Sequence, residues 1–359
     1  MYSYFPYEVK KLSGTMPTDF EVTGHALVGR DLEPRPARIT VRDGEIREIA
    51  ELPSAPPLWI CPALFNAHTH VGDTVAMDAP WRGSLEELVT PPDGLKHRIL
   101  RETPRPALIG GMRASIGVMV RSGTGGFADF REGGRDGVRD LREAAEGLPC
   151  RPVVFGRDGG EEIAEGLGIP SARDSPDAGE AVARARRAGK PVAFHAGERD
   201  ALDIDGALRY DPDLLVHCTH ASDRQLREIA DRGIPVAVCP RSNWVLGVSS
   251  SPAHPPVRRM LDLGITLLLG TDNAMFVQPD LWAEMAFIHT VYRVDPREVL
   301  GMAVRGSACL SVPSFLEEGS PARFLVIDAA RSNLAASRDP VASLVKRAGP
   351  SDVTERYLF

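Results

Sequence analysis

The feature that most constrains this chain is a series of short apolar runs, alternating with helical segments between about residues 62 and 269. The runs cover 62–66, 126–130, 152–155, 191–194, 214–216, 234–238 and 265–269, with a weaker eighth at 166–169. They are apolar at consecutive positions rather than at every second one, the pattern of strands buried on both faces in a parallel sheet. The intervening segments carry helix signals. Ser222 and Gln225 form a capping box ahead of Leu226, Ile229 and Ala230, and Gly233 ends that helix. Asp295 followed by Pro296 opens another. Eight such units predict an α/β chain folded as a (β/α)8 TIM-like barrel.

The flanks have a different texture. Residues 37–42 and 45–49 alternate apolar and polar positions around Asp43-Gly44, which reads as a β-hairpin. A proline-rich joint at 53–57 separates this region from the barrel, and residues 322–328 read as a strand of the same kind. The two ends are expected to pair in a small β-sandwich module, giving 1–57 and 320–359 to that module and 58–319 to the barrel. Segment 71–101 is too long for a simple strand-to-helix connection, and its turn cluster Pro91-Pro92-Asp93-Gly94 makes it a candidate lid.

Composition narrows the partners. With 43% hydrophobic and 25% charged residues the chain is an ordinary globular protein, and its net charge of −7 leaves no basic footprint for nucleic acid. The densest basic stretch, Arg184, Arg186 and Arg187, reads as a solvated helix face. No run approaches the ~18 apolar residues of a membrane helix, and residues 1–11 do not resemble a signal peptide. Cys61, Cys150, Cys218, Cys239 and Cys309 are odd in number and scattered, so a reducing cytoplasm is expected. A homo-oligomer is compatible with all of this.

Chemistry-bearing residues follow directly on the apolar runs. His68 and His70 come after the first; at strand period two their imidazoles share a side and can share one metal. His195 and Glu198 follow another run, His217 and His220 the next, and Asp272 with Asn273 the last. In a barrel of this kind the C-terminal strand ends are where catalytic residues gather. Pro-Cys-x-x-Cys and His-Glu-x-x-His are both absent, which removes cytidine-deaminase-type and metalloprotease chemistry.

His-x-His after the first strand, His-x-x-Glu after the fifth, His after the sixth and Asp after the eighth resemble the amidohydrolase superfamily. The Asn66-Ala67-His68 lead-in and Cys239-Pro240-Arg241-Ser242-Asn243 resemble its branch of cytosine, guanine and methylthioadenosine/S-adenosylhomocysteine deaminases. The resemblance implies that His68, His70, His195 and Asp272 bind one divalent metal, zinc or alternatively iron. It gives Glu198 the proton shuttle and His217 the attacking water, with Asp272 also taking a proton. His220 is expected to be structural. Bridged two-metal members use a lysine from the fourth strand; none of the five lysines here lies near that strand end, so one metal is expected. The implied activity is deamination of a purine, pyrimidine, pterin or related small heterocycle, the alternative being cyclic amide hydrolysis of the imidazolonepropionase type.

Arg131 and Arg157, which follow apolar strands, and Arg241 with Asn243 after the seventh run are substrate-side candidates, together with Trp81 in the lid. A guanidinium at a cleft rim suits a carboxylate or the edge of a heterocycle. The plainer reading is that each arginine pairs with a local acid such as Asp129, Glu132 or Asp158. Among the other histidines, His25 and His289 read as structural, whereas His97 and His254 are placed within reach of a substrate.

Overall fold

The computed structural model describes residues 17–80, 82–310, 312 and 314–358. Four strands come first: β1 (Phe20–Val28), β2 (Glu33–Arg42), β3 (Glu45–Glu51) and β4 (Leu58–Pro62). Nine follow: β5 (Leu64–His70), β6 (Thr124–Arg131), β7 (Arg151–Gly156), β8 (Gly166–Ile169), β9 (Val192–Ala196), β10 (Leu214–His217), β11 (Val236–Val238), β12 (Leu267–Leu269) and β13 (Asp272–Asn273). The last two are β14 (Arg323–Asp328) and β15 (Val353–Leu358).

Strands β5 to β12 lie side by side in chain order, every pair parallel. The two-residue β13 then pairs Asp272 with Thr69 and Asn273 with His70, so the end of the sheet meets its beginning and the ring closes. All eight runs read from the sequence are barrel strands, including the weak one that becomes β8. Along each strand the residues alternate between two buried environments. Phe65, Ala67, Ala128, Phe130, Val153, Phe155, Ala193 and Val216 fill the lumen. Their neighbours Leu64, Phe127, Val154, Phe194 and Leu215 pack outward under the helices. Each fully buried large apolar side chain contributes about 1.5–3 kcal/mol, so a barrel apolar on both faces is held from inside and outside at once. Phe130 stacks on Phe155 with ring centroids 4.9 Å apart, and this pair forms the floor of the site above it.

The termini build one six-stranded sheet in the order β15-β14-β4-β1-β2-β3. The sheet curls around its own core, in which Val22, Ile39, Val41 and Ile46 meet Phe324, Val326 and Tyr357. The hairpin turn forms at Asp43 and Gly44, both with positive φ, and joins β2 to β3. The division at residue 57 needs moving: β4 pairs with β1 and β14, so residues 58–62 belong to the terminal sheet. Ala63 alone separates that sheet from the barrel. The C-terminal segment is also shared, since helix Pro340–Arg347 packs on helices Leu281–Tyr292 and Pro296–Cys309 of the barrel. No helix among the described residues is long and apolar enough to cross a membrane.

Candidate metal and active site

The site stands at the C-terminal ends of the barrel strands, and backbone irregularities aim its side chains. On β5, Phe65 and Ala67 face the lumen, so strict alternation would send His68 and His70 outward. The pairing of β5 with β6 slips by one residue between Asn66 and Thr69, a bulge that turns both imidazoles inward. Asn66 secures this stretch from the other side: its amide donates to the Thr271 hydroxyl at 2.8 Å and its carbonyl oxygen accepts from the Thr271 N–H at 3.1 Å. His217, Cys218 and Asp272 all sit at positive φ (73°, 48° and 61°), conformations that cost a non-glycine residue free energy and occur where the fold requires a side chain to be redirected. His195 needs no such device, because it has the parity of Ala193 on β9. The backbone passes closely here: a Cβ on Gly270 would stand 2.7 Å from the His68 Cβ.

Three overlapping groups are spaced to hold a metal ion, namely His68/His195/His217, His68/His70/Asp272 and Glu198/His217/Asp272. The four ligands named from the sequence, with Glu198 and His217, therefore converge on one centre. The facing atoms are lone pairs without a proton between them. The Nδ1 of His195 lies 3.1 Å from the Ile169 carbonyl and donates to it, which leaves its Nε2 unprotonated. That Nε2 is 3.4 Å from the Nε2 of His70. The Oδ1 of Asp272 lies 3.2 Å from the Nε2 of His68 and 3.6 Å from that of His70. Neither ring nitrogen of the fully buried His68 has a hydrogen-bond partner. Acceptors gathered at such distances in a buried place repel unless a cation lies among them, so the donor set fits a divalent metal.

Protonation follows the same geometry. Burial pushes the His68 and His195 imidazoles below the usual histidine value and takes His70 down to about 3, aided by the Lys96 ammonium, so all three are neutral ligands at neutral pH. Burial opposes ionisation of Asp272, but His68 beside it, with His217 and His70, outweighs that and holds its carboxyl well below the usual range. Its Oδ2 accepts a 2.7 Å hydrogen bond from Ser242. Glu198 is shifted the other way. Burial, opposed by nearby His217 and reinforced by the charge of Asp272, raises its carboxyl, and its Oε2 lies 3.8 Å from the His217 Nε2.

The substrate-side expectations need correction. Arg131 has the outward parity of Phe127 and Asp129, so it leaves the barrel lumen. It is 3% exposed, pairs with Glu132 and Asp129, and does not line the cleft. Arg241 is held by the fully buried Glu284 at 2.5 Å and by the carbonyls of Gln278 and Asp280. Asn243 is buried and donates to the Thr219 hydroxyl at 2.7 Å. Trp81 lies outside the described residues. Of the spare histidines, His97 lines the cleft; His254 does not, its Nδ1 instead lying 3.1 Å from the Thr219 carbonyl. His289 has its Nδ1 2.7 Å from the Val294 carbonyl. The cationic groups that line the cleft are Arg157, Arg173, Arg199 and Lys96, facing Glu132, Asp174 and Asp203 as well as the centre itself.

Part of segment 71–101 lines the cleft. Leu85 and Val89 of helix Leu85–Val89, together with Thr90, Pro91, Lys96 and His97, line it. Helix Leu85–Val89 starts at a capping box of Ser84 and Glu87, and Glu86 reaches across to ion-pair with Arg199, the residue after Glu198. Two residues that sequence reasoning passed over stand inside. Lys96, 3% exposed, places its ammonium 2.9 Å from Asp73 and 3.0 Å from Glu132, and Glu132 Oε1 also lies 3.1 Å from the Nδ1 of His70. The parity of Glu132 with Ala128 and Phe130 was the available signal.

Residues 59–354 match the amidohydrolase family, and the chain belongs to it. A protein of Methanothermobacter thermautotrophicus named as an aminohydrolase is 36% identical over 90% of this chain and 93% of its own length. A 5-methylthioadenosine/S-adenosylhomocysteine deaminase of Halobacterium salinarum is 28% identical over 93% of this chain and 87% of that one. Among solved structures, a zinc-bound adenosine deaminase from Xanthomonas campestris superposes with a TM-score of 0.75 at 18% identity, over 90% of this chain and 87% of that one. The chain is thus a hydrolase of this family, with a barrel whose strand-end residues could hold a metal ion.

Proposed function

We propose that this protein is an aminohydrolase that releases ammonia from a small nitrogen heterocycle, using one divalent metal ion. The observation that carries the reading is Glu198: a buried carboxyl with a raised pKa, beside His217, in the cleft that also exposes the metal-binding group. Deamination needs a group that gives a proton to a ring nitrogen and later moves a proton to the departing amine. A carboxyl biased toward its protonated form suits the first task.

His68, His70, His195 and Asp272 are assigned as the ligands. Three imidazoles and one carboxylate suit zinc, with iron as the alternative. An ion bound there would lower the pKa of a coordinated water from 15.7 to about 7. His217 orients the incoming water from the Glu198 side. Asp272, ionised and fixed by Ser242, accepts the proton the water loses, and Glu198 delivers one to the ring. The substrate lies under the lid, between the metal-binding residues and the polar wall formed by His97, Arg157 and Arg173. The names of the relatives support a purine-derived substrate class. All five cysteines are unpaired, which supports a reducing, cytoplasmic setting.

The test is ammonia release across a panel of purines, pyrimidines, pterins and nucleosides with zinc-loaded protein. Deamination predicts one ammonia per substrate consumed. Substrate loss without ammonia would replace this reading with ring-opening amide hydrolysis.

A further inference from the structure

The metal-binding imidazoles are oriented by different means. His195 is fixed by a backbone carbonyl, but the Nδ1 of His70 faces a side chain, the Oε1 of Glu132 at 3.1 Å. That carboxylate is unusually well anchored. Lys96 Nζ lies 3.0 Å and Arg157 Nη2 3.4 Å from the same Oε1, while Arg131 pairs with Oε2. Lys96 is tied in turn to the fully buried Asp73 at 2.9 Å. Three cations around one carboxylate are far more than a surface pair needs, and almost every atom involved is buried.

We propose that Glu132 is the positioning residue of the metal centre: its carboxylate, 3.1 Å from the Nδ1 of His70 in ion-pair rather than aligned hydrogen-bond geometry, draws the N–H to that nitrogen, the tautomer whose Nε2 lone pair points at Asp272 and His195. The inference rests on the metal-centre reading above and extends it to a residue that is not a ligand. The physical argument is one of tautomer and charge. A neutral imidazole carries a single N–H, and a carboxylate beside Nδ1 places it there and increases the basicity of Nε2. Without the carboxylate, the Lys96 and Arg157 cations would face His70 directly and oppose any cation bound on its far side. Lys96 stands on helix Leu95–Glu102, part of the segment that lines the cleft, so the seating of that segment and the aim of His70 share one ion network.

The test measures zinc affinity by chelator competition, with the thermal midpoint of each metal-free variant as the folding control. Glu132→Gln is expected to raise the zinc dissociation constant about 10- to 100-fold, the scale for losing such a partner, and Glu132→Asp to recover part of it. Lys96→Met should recover part of the affinity in the Glu132→Gln background, because it removes a cation that the carboxylate no longer shields from His70. A dissociation constant within twofold of wild type in Glu132→Gln overturns the proposal, as does full additivity of the two changes. Should Glu132→Gln fold poorly, nitrogen NMR of histidine-labelled, metal-free wild type decides: the Nδ1–H tautomer of His70, assigned by loss of its signals in His70→Asn, is expected, and the Nε2–H tautomer overturns it. Wild type that binds no zinc would instead count against the metal-centre reading itself.

Discussion

At the scale of single residues, the proposed site separates groups that would hold the ion from groups that would move protons, and Glu198 is where the two can be told apart. Its carboxyl belongs to a metal-spaced group with His217 and Asp272, yet burial raises its pKa, whereas the imidazoles hold Asp272 ionised. Glu198→Gln should therefore retain metal in elemental analysis while kcat falls about 10²-fold or more, the usual scale for a positioned acid. A metal-free variant would make Glu198 a ligand instead. The strand-end histidines and Asp272 were legible in the sequence because each follows closely on a predominantly apolar run. Arg131 was misread because the eye follows charge rather than parity. Counting from Ala128 and Phe130 as lumen residues sends Glu132 and not Arg131 into the barrel mouth, and the same count from Val153 and Phe155 sends Arg157 there. The bulge that turns His68 and His70 inward had no such signal, since nothing in Asn66-Ala67-His68-Thr69-His70 marks an inserted residue.

At the scale of elements, every barrel strand was legible and their lengths were not. Gly166–Ile169 is only four residues long, yet its last carbonyl orients His195, so the weakest of the eight strand signals fixes an imidazole of the metal-spaced group. The misplaced boundary at residue 57 has a similar cause: the apolar residues of β4 run almost directly into β5, with Pro62 the only punctuation and no turn signal between them. The proposed roof over the cleft is the element most open to test. Helix Leu85–Val89 has a single buried residue, Leu88, and is joined to the opposite rim by the Glu86–Arg199 pair, whose side chains are 60% and 40% exposed. Such an exposed pair contributes about 0–1 kcal/mol, too little to affect the stability of the fold. Glu86→Ala should leave the thermal midpoint unchanged and raise KM up to about fivefold, the equivalent of roughly 1 kcal/mol in substrate retention. If KM stays fixed, the ion pair plays no part in holding the roof closed.

At the scale of the whole molecule, the barrel keeps several neutral imidazoles and ionised carboxylates buried together at its mouth, and the folded chain must resist protonation there. The sign follows from linkage. His68, His70 and His195 have folded pKa values below the unfolded value of about 6.5, so the unfolded chain takes up protons first as the pH falls. Their contribution is complete above about pH 6.5 and declines below it, continuing toward the folded value of about 3 for His70. Each imidazole that resists protonation adds a slope of up to about 1.4 kcal/mol per pH unit in that window. Asp272, also depressed, contributes stability above the ordinary carboxylate range and loses it as the pH falls further. Glu198 acts in the opposite sense, because its raised pKa lets the folded state take up a proton first. Asp73, pushed up to about 7 by burial, and the raised carboxyls of Asp129, Asp203 and Glu284 act in the same sense as Glu198, while His97, lowered to about 4, and His220 join the imidazoles. Opposed contributions of similar number leave the metal-free chain without a steep net slope between about pH 5 and 7. Metal should add a nearly constant amount across that window, since the folded ligands are already deprotonated there and the term depends only on the ion's concentration over Kd. Zinc is therefore expected to raise the thermal midpoint by a similar amount at pH 7 and at pH 5. Calorimetry of both forms across that range is the check. A zinc-induced shift that falls steeply between pH 7 and pH 5 would mean that the imidazoles of the barrel mouth are not held neutral by burial.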